Sequence, residues 1–482
     1  MAPVLRTGLI VYILVYIILR TMIGGLVYDL RPLAIPRTIL ELITQFLTFG
    51  PILFFPQRSI GWLHPLCLPA AVTIALSLAK GFGTLLTPFN FGYSYEYAYA
   101  ALEDRSQLEL GMILLKKEFI LFMSTVAYLL TYFGLRRLPA LKLRLRQPPS
   151  LSVRLFLGGL LGALAATYII LQNGGIQATI IGLASGRFRF REAVGGGHFI
   201  ALTNILKYAW LIWYAYRPKA ILSPFFWFYV FGSLATVFIV SGSRTATLSP
   251  LMLFGLVYVI HTRSIPLFTI GSVGVVLFAA VGILGQIRSA GNQGTEVDLT
   301  FIAEKSLVEH ASATHEELAV RVSGTNLVLG KAMEEVGPLY GRTYLGAVFF
   351  FVPRALWKKK PRGAGAFAGN LLYYGKSFEG NEHGGDALGI PVIPEAEAYW
   401  NFWYFGVVGI GVLFGLFHRW LVNTFTQNRG QPVIWVIYLL GVGFTSLATA
   451  SIVTFFQAFA MCLILAGLAY VWRPTIVYGT AR

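Results

Sequence analysis

Charge is scarce in this chain. Only 12% of its 482 residues are Asp, Glu, Lys or Arg, and acids number 21 against 38 bases. A soluble domain of this length cannot cover a 56% hydrophobic composition with so little polar surface. The solvent is therefore expected to be lipid. Cysteine is nearly absent: Cys67 and Cys462 both fall in apolar runs. With no CxxC and no Cys/His spacing, neither a zinc site nor a disulfide framework organises the fold. There is no Walker A, because Gly369…Gly375-Lys376-Ser377 is one residue too long and follows no strand. HExxH, an EF-hand loop and a DxD pair are missing too, which counts against metal-assisted use of a nucleotide sugar. The lack of an internal repeat weighs against an inverted-repeat transporter.

What the chain has is apolar length. Mean hydropathy is +0.67, and runs of about 20 residues, enough to cross the hydrocarbon, predict helices near 8–28, 36–55, 64–86, 118–135, 155–172, 198–216, 222–241, 245–262, 265–286, 398–418, 432–449 and 453–472. The expected fold is an all-α polytopic membrane protein of about twelve transmembrane helices. The opening Leu9–Leu19 run has no small-x-small cleavage site and reads as an uncleaved first helix. A formal charge of +17 points to lipid phosphates or an anionic substrate rather than nucleic acid.

Sidedness follows from the connectors. Leu135–Arg154 carries Arg136, Arg137, Lys142, Arg144, Arg146 and Arg154 with no acid, the mark of a cytoplasmic loop. Arg217, Lys219, Arg263, Arg419, Arg429 and Arg473 fall on the same side, and both termini come out cytoplasmic. Residues 1–287 thus carry nine helices with outer loops 87–117 and 173–197. Residues 288–397 form a large outer loop, and 398–482 carry three more helices. That loop holds 13 of the acidic residues and 11 Lys/Arg, and an outer loop so long and polar is expected to be functional. Within it 299–322 and 327–336 read as helices, 343–353 as a stretch dipping into the interface, and Gly363–Gly369 as a flexible connector or lid.

Several residues suit chemistry on that outer side. In 173–197, Arg187, Arg189 and Arg191 alternate onto one face of an extended segment, fitted either to phosphate oxygens or to headgroup anchoring. Arg244 stands among small hydroxyl residues, Ser241-Gly242-Ser243-Arg244-Thr245, at the mouth of two helices. An Arg at membrane depth reads as functional, with snorkelling as the alternative. Arg288 closes helix nine with the same two readings. His383 precedes Pro394-Glu395-Ala396-Glu397-Ala398-Tyr399-Trp400-Asn401. The two carboxylates suit the positive end of a helix dipole. Helical spacing also stacks Glu395 over Tyr399 and Glu397 over Asn401, and a carboxylate or His383 placed there could take a proton from a hydroxyl.

This pattern resembles the Wzy-type polymerases of lipid-linked oligosaccharide repeat units, which make O-antigen and related polysaccharides. The likeness covers the layout of helices and loops. Locally it rests on Ser241–Thr245 and on Glu397-Ala398-Tyr399-Trp400-Asn401-Phe402, ending in Gly406. Arg354 and Gly365 match an Arg-x10-Gly pattern of some members, whereas Arg187 meets His198 where glycine is expected. The resemblance implies a metal-independent, GT-C-like glycosyltransferase of the bacterial inner membrane, with its main loop periplasmic and no cofactor. It would move a growing glycan from undecaprenyl pyrophosphate onto an incoming lipid-linked unit. Glu395, Glu397, His383 and Arg244 would be catalytic; Arg187, Arg189, Arg191, Arg288, Arg354, Tyr399 and Asn401 would bind substrate. A Wzz-type copolymerase would be the partner. An O-antigen ligase and a flippase or exporter of the same lipid-linked sugars are the alternatives. Few charges in the helix interiors, chiefly Glu41 and Lys207, speak against the last.

Overall fold

A computed structural model of the chain describes residues 32–54, 64–67, 104–135, 138–146, 151–176, 197–241, 244–262, 324–349, 363–374, 392–446, 452–469 and 471–477, with scattered single positions besides. The expected helices at 265–286 and 299–322, and most of 8–28 and 64–86, lie outside these residues.

The described elements are helices α1 (Ala34–Phe54), α2 (Gln107–Gly134), α3 (Leu151–Gln172), α4 (Gly197–Tyr216), α5 (Pro224–Ser241), α6 (Arg244–Thr262), α7 (Arg342–Val348), α8 (Ala364–Tyr374), α9 (Pro394–Gln427), α10 (Pro432–Ser446) and α11 (Ile452–Ala469). A π-helical turn occupies Val328–Ala332. Two strands, β1 (Ala140–Arg146) and β2 (Val471–Val477), make an antiparallel ribbon. Among the described residues the fold is thus helical apart from one strand pair, β1 in the basic connector and β2 just after α11. The alternation Leu141-Lys142-Leu143-Arg144-Leu145-Arg146 has the period of two that a strand needs. Pro474, which has no N–H to give, sits opposite Leu143 in a ribbon where both strands are edges.

Helix α2 begins well before 118, inside the expected 87–117 loop, because Ser106 and Glu109 form a capping box. Ser106 Oγ accepts from the Glu109 N–H at 3.3 Å while Glu109 Oε2 accepts from the Ser106 N–H at 2.8 Å. Arg105, just ahead of the cap, bonds Glu334 at 2.6 Å and fastens the 324–336 segment to this end of α2.

Helices α2 and α9 run parallel in contact along their length. Phe119 meets Tyr404, Ser124 meets Gly411, and Tyr128 Oη lies 2.8 Å from His418 Nδ1. Close approach depends on Gly411 and Gly415, one turn apart. A Cβ at Gly411 would fall on the Ser124 carbonyl oxygen, and one at Gly415 on the Tyr128 carbonyl oxygen and Thr131. Gly411→Val is expected to lower the melting temperature of the purified chain through overpacking of about 1–3 kcal/mol. Gly409→Ala, at a position facing open space, should leave it unchanged; equal melting of the two variants would contradict this packing.

Helix α4 lies at the centre of the other half. Its Trp210 and Tyr214 pack on Phe226 of α5 and Phe254 of α6. Helix α6 runs parallel to α4, whereas α3, α5 and α10 run opposite to their partners, as Tyr168–Phe199, Trp213–Tyr229 and Phe425–Tyr438 record. Lys207 is buried in α4 with its Nζ 5.2 Å from the Tyr208 ring centre.

Among the described residues, Leu151–Gln172 and Pro394–Gln427 are long and apolar enough to cross a membrane. Much of their apolar surface faces outward: Leu164 is 59% exposed and Phe405 88%. The core helix of a soluble protein would bury these side chains; a helix in contact with lipid leaves them out.

Candidate functional site

The carboxylates stand at the head of α9, and the local sequence explains why. Pro394 supplies the first helical residue and forces Ile393 into the extended conformation seen there. The helix breaks eight residues on. Phe402 (φ −145°, ψ 25°) and Trp403 (φ 51°, ψ −144°) leave helical geometry, and positive φ at a tryptophan stores roughly 1–3 kcal/mol. Gly406 fits against the carbonyl of Ala398, a contact that a Cβ would turn into a collision. Beyond the break, 404–427 extends about 36 Å at about 1.5 Å per residue, enough to span about 30 Å of hydrocarbon. Glu395–Asn401 precedes that stretch and turns back against its start, the Ala398 carbonyl meeting Gly406 and Ala398 packing with Ile410, and Phe402, Trp403, Tyr404 and Phe405 are exposed around the break.

The segment Gly337–Val348 closes on this head. Leu339 N–H donates to the Trp400 carbonyl at 3.0 Å, and Trp400 Nε1 donates to the Gly337 carbonyl at 3.1 Å. Helix α7 thereby delivers Thr343 and Tyr344 to the carboxylates. Helix α8 closes another side, its Ala364, Phe367 and Ala368 buried with Trp400 and Ala396. Its small residues let the backbone come near enough for Ala364 N–H to donate to Glu397. The Gly363–Gly369 stretch is thus a packed helix for most of its length rather than a flexible lid: alanine favours helix, and the glycines give close approach.

Glu397 and Asn401 are buried and share one network. Thr343 donates its hydroxyl to the Glu397 carboxylate, and Asn401 Nδ2 donates to Thr343 Oγ1 and to the Glu397 carbonyl, both at 2.8 Å. A buried carboxylate is costly unless donors meet it, and Glu397 has two. Glu395 differs. The residue is partly exposed, yet its Oε2 is buried with no hydrogen-bond partner. Tyr344 packs beside Ala398 and Ile410 of α9. Burial first, then the charges of Glu397 and Glu395, holds its hydroxyl proton far above the usual tyrosine range. Tyr344 Oη is also unpartnered, and its ring stacks on Phe402 at 6.1 Å.

The four sequence-derived candidates Glu395, Glu397, Tyr399 and Asn401 share the head of α9. Tyr399 turns toward α2, with Lys116 Nζ 5.8 Å from its ring centre and Tyr404 at 5.2 Å. Arg244 opens α6, and its side chain lies outside the described residues. So do His383, Arg187, Arg189, Arg191, Arg288 and Arg354. Sequence reasoning missed Thr343, Tyr344 and Arg342. The last is exposed on α7 with its guanidinium 6.0 Å from the Phe367 ring centre, and among the described residues no carboxylate pairs with it. The signal for all three was the polar triplet Arg342-Thr343-Tyr344 opening an otherwise apolar stretch. No protein-family model, curated protein or solved structure matches the chain.

Proposed function

We propose that the protein is a membrane glycosyltransferase that polymerises oligosaccharide repeat units carried on undecaprenyl pyrophosphate, at the outer face of the bacterial inner membrane. One observation carries the reading. A carboxylate with a buried, unpartnered oxygen stands beside a second carboxylate fixed by two donors, at the head of a helix able to cross a membrane. Glu395 is the base in this scheme, and Glu397, through Thr343 and Asn401, positions the segment that carries it. The acceptor hydroxyl oxygen attacks the anomeric carbon of the growing glycan. A new C–O bond forms while the anomeric carbon–phosphate oxygen bond breaks. The hydroxyl proton passes to Glu395, and undecaprenyl pyrophosphate leaves with the electron pair. Fixed cations stabilise that leaving group; Arg342 beside Thr343 joins Arg244 as a candidate.

The twelve-helix arrangement with cytoplasmic termini belongs to the same proposal. The parallel run of α2 with α9, and of α4 with α6, supports it, because each pair is expected to cross in the same direction. The pairing of β1 with β2 supports it as well, since both strands belong on the cytoplasmic side.

Deleting the gene and sizing the surface glycan tests the function. A product of single repeats is expected. Long chains stranded on the lipid carrier would instead indicate a ligase, and intermediates held at the cytoplasmic leaflet a flippase. In a complemented strain, Arg244→Ala and Arg244→Lys should each lose polymer without loss of protein. Lysine keeps the charge but not the bidentate fork. Normal polymer in both variants would remove Arg244 from the site.

A further inference from the structure

The two faces of the β1–β2 ribbon differ completely. Its register sets Lys142 opposite Thr475, Arg144 opposite Arg473 and Leu145 opposite Trp472. Residues opposite one another share a face, and the face alternates along each strand. One face therefore carries Lys142, Arg144, Arg146 and Arg473, every cation of the ribbon. The other carries Leu141, Leu143, Leu145, Trp472, Pro474 and Ile476, and no charge. Lys142 is exposed. The ribbon also stays close to the helix ends. Asn423 Nδ2 of α9 donates to the Leu138 carbonyl, just ahead of β1, at 2.9 Å, and β2 starts at Val471 where α11 ends at Ala469.

Such a face calls for an anion. Residues opposite one another stand about 4.5–5.5 Å apart at Cα, and like charges placed so, as Arg144 and Arg473 are, destabilise a strand pair. A two-stranded ribbon has little stability to spare. The chain brings no counter-charge with it: residues 119–191, 193–295 and 398–482 contain no Asp or Glu. Every connector that the proposed topology puts in the cytoplasm is free of acid too. Orientation does not require this, because it follows the basic residues and acids contribute little to it. Resting on that topology, we infer that the basic face of the ribbon binds anionic lipid headgroups of the cytoplasmic leaflet, with one phosphate between Arg144 and Arg473. Two guanidinium forks match the oxygens of a shared phosphate. Lys142 and Arg146, each about 7 Å along the strand from Arg144, serve flanking headgroups. An amphipathic element in the interface beds its apolar side about 5–10 Å into the headgroup–acyl boundary, a level that also suits Trp472. A soluble anion would answer the basic face alone, whereas the membrane surface answers both.

Thermal melting of the full chain tests this, in nanodiscs of phosphatidylcholine alone or mixed with phosphatidylglycerol. Phosphatidylglycerol should raise the melting temperature of the parent. Arg473→Gln should lose most of that rise. In phosphatidylcholine alone it should melt no lower than the parent, because the repulsion at Arg144 is relieved. Arg473→Lys keeps the charge and should keep part of the rise. Lys219→Gln removes an exposed charge from another cytoplasmic connector and should keep all of it. Native mass spectrometry should show phosphatidylglycerol held about fivefold more weakly by Arg473→Gln, the worth of one cation near an anionic surface. The inference is overturned if phosphatidylglycerol stabilises Arg473→Gln as much as the parent, or if Lys219→Gln loses as much of the rise. It is overturned too if inorganic phosphate reproduces the rise in phosphatidylcholine. Thr475→Cys separates its failure from that of the topology. Cys67 and Cys462 are buried, so an impermeant maleimide reports position 475. Cytoplasmic labelling without a lipid-dependent rise removes the lipid site alone; periplasmic labelling overturns the topology and with it the leaflet named here.

Discussion

Glu395→Gln is expected to abolish polymer while the protein stays at its normal level in the membrane. Glutamine matches the shape of glutamate and keeps an oxygen, so it disturbs packing little; it cannot take a proton. Loss of general-base catalysis costs about 10²–10⁴-fold in rate, which would reduce a polymer ladder to its first rungs. Glu397→Gln makes the informative contrast. The Glu397 carboxylate already accepts from Thr343 and from the Ala364 N–H, and a glutamine oxygen can keep accepting from them. Its effect on chain length should therefore be much the smaller of the two. Glu397→Ala, by contrast, leaves the Thr343 hydroxyl and the Ala364 N–H short of an acceptor inside the protein. It should destabilise the chain by about 1–3 kcal/mol for each group left unsatisfied. Glycan ladders from a deletion strain carrying each variant, beside immunoblots of the membrane fraction, read both effects. If Glu397→Gln is the null and Glu395→Gln the mild variant, the base is Glu397. If both make normal ladders, neither is.

The contrast between the two carboxylates also marks what the sequence can and cannot convey. Helix α9 was legible because its start is chemical: Pro394 at the first turn, two acids on the dipole, then apolar length. The strip from Glu397 to Asn401 followed from helical spacing, and the hydrogen bond between Asn401 Nδ2 and the Glu397 carbonyl is that spacing made visible. The other wall of the site was not legible. Thr343 reaches Asn401 across 58 positions of chain, and nothing local says that a short polar triplet will meet an acid so far along. Gly363–Gly369 misled for a related reason. Glycine and alanine in alternation suit either a loose connector or a helix pressed against a neighbour, and only the neighbour decides. The early start of α2 has a local signal in Ser106-x-x-Glu109, but Lys116, Lys117 and Glu118 interrupt the apolar run that marks a membrane-length helix. Leucine alternating with lysine and arginine in 140–146 carries both a connector's charge and a strand's period of two, and only the distant partner Val471–Val477 decides between them. The break at Phe402–Trp403 had no signal of its own, since neither residue is proline or glycine.

Gly406 is where that break becomes testable. Gly406→Ala should cost most of the polymer, about 10²-fold, with little loss of protein, because catalysis tolerates displacements of only about 1 Å. The added methyl group would meet the Ala398 carbonyl, which is backbone, and the Phe402 Cβ, which is fixed to it. No rotamer change relieves such a contact. The head of the helix must move relative to the stretch that follows, and Glu395, Glu397 and Asn401 move with it. Stability should suffer far less than activity, for the packing of α2 on α9 lies further along, at Gly411 and Gly415. Gly409→Ala again serves as the silent control, three residues on and facing open space. Polymer of normal length from Gly406→Ala would mean that the site tolerates a straighter helix, and that the strained Trp403 serves packing alone. Loss of polymer with a melting temperature close to the parent's would place the break itself in the catalytic arrangement, because the break sets the head of the helix, with Glu395, Glu397 and Asn401, against Thr343 of α7.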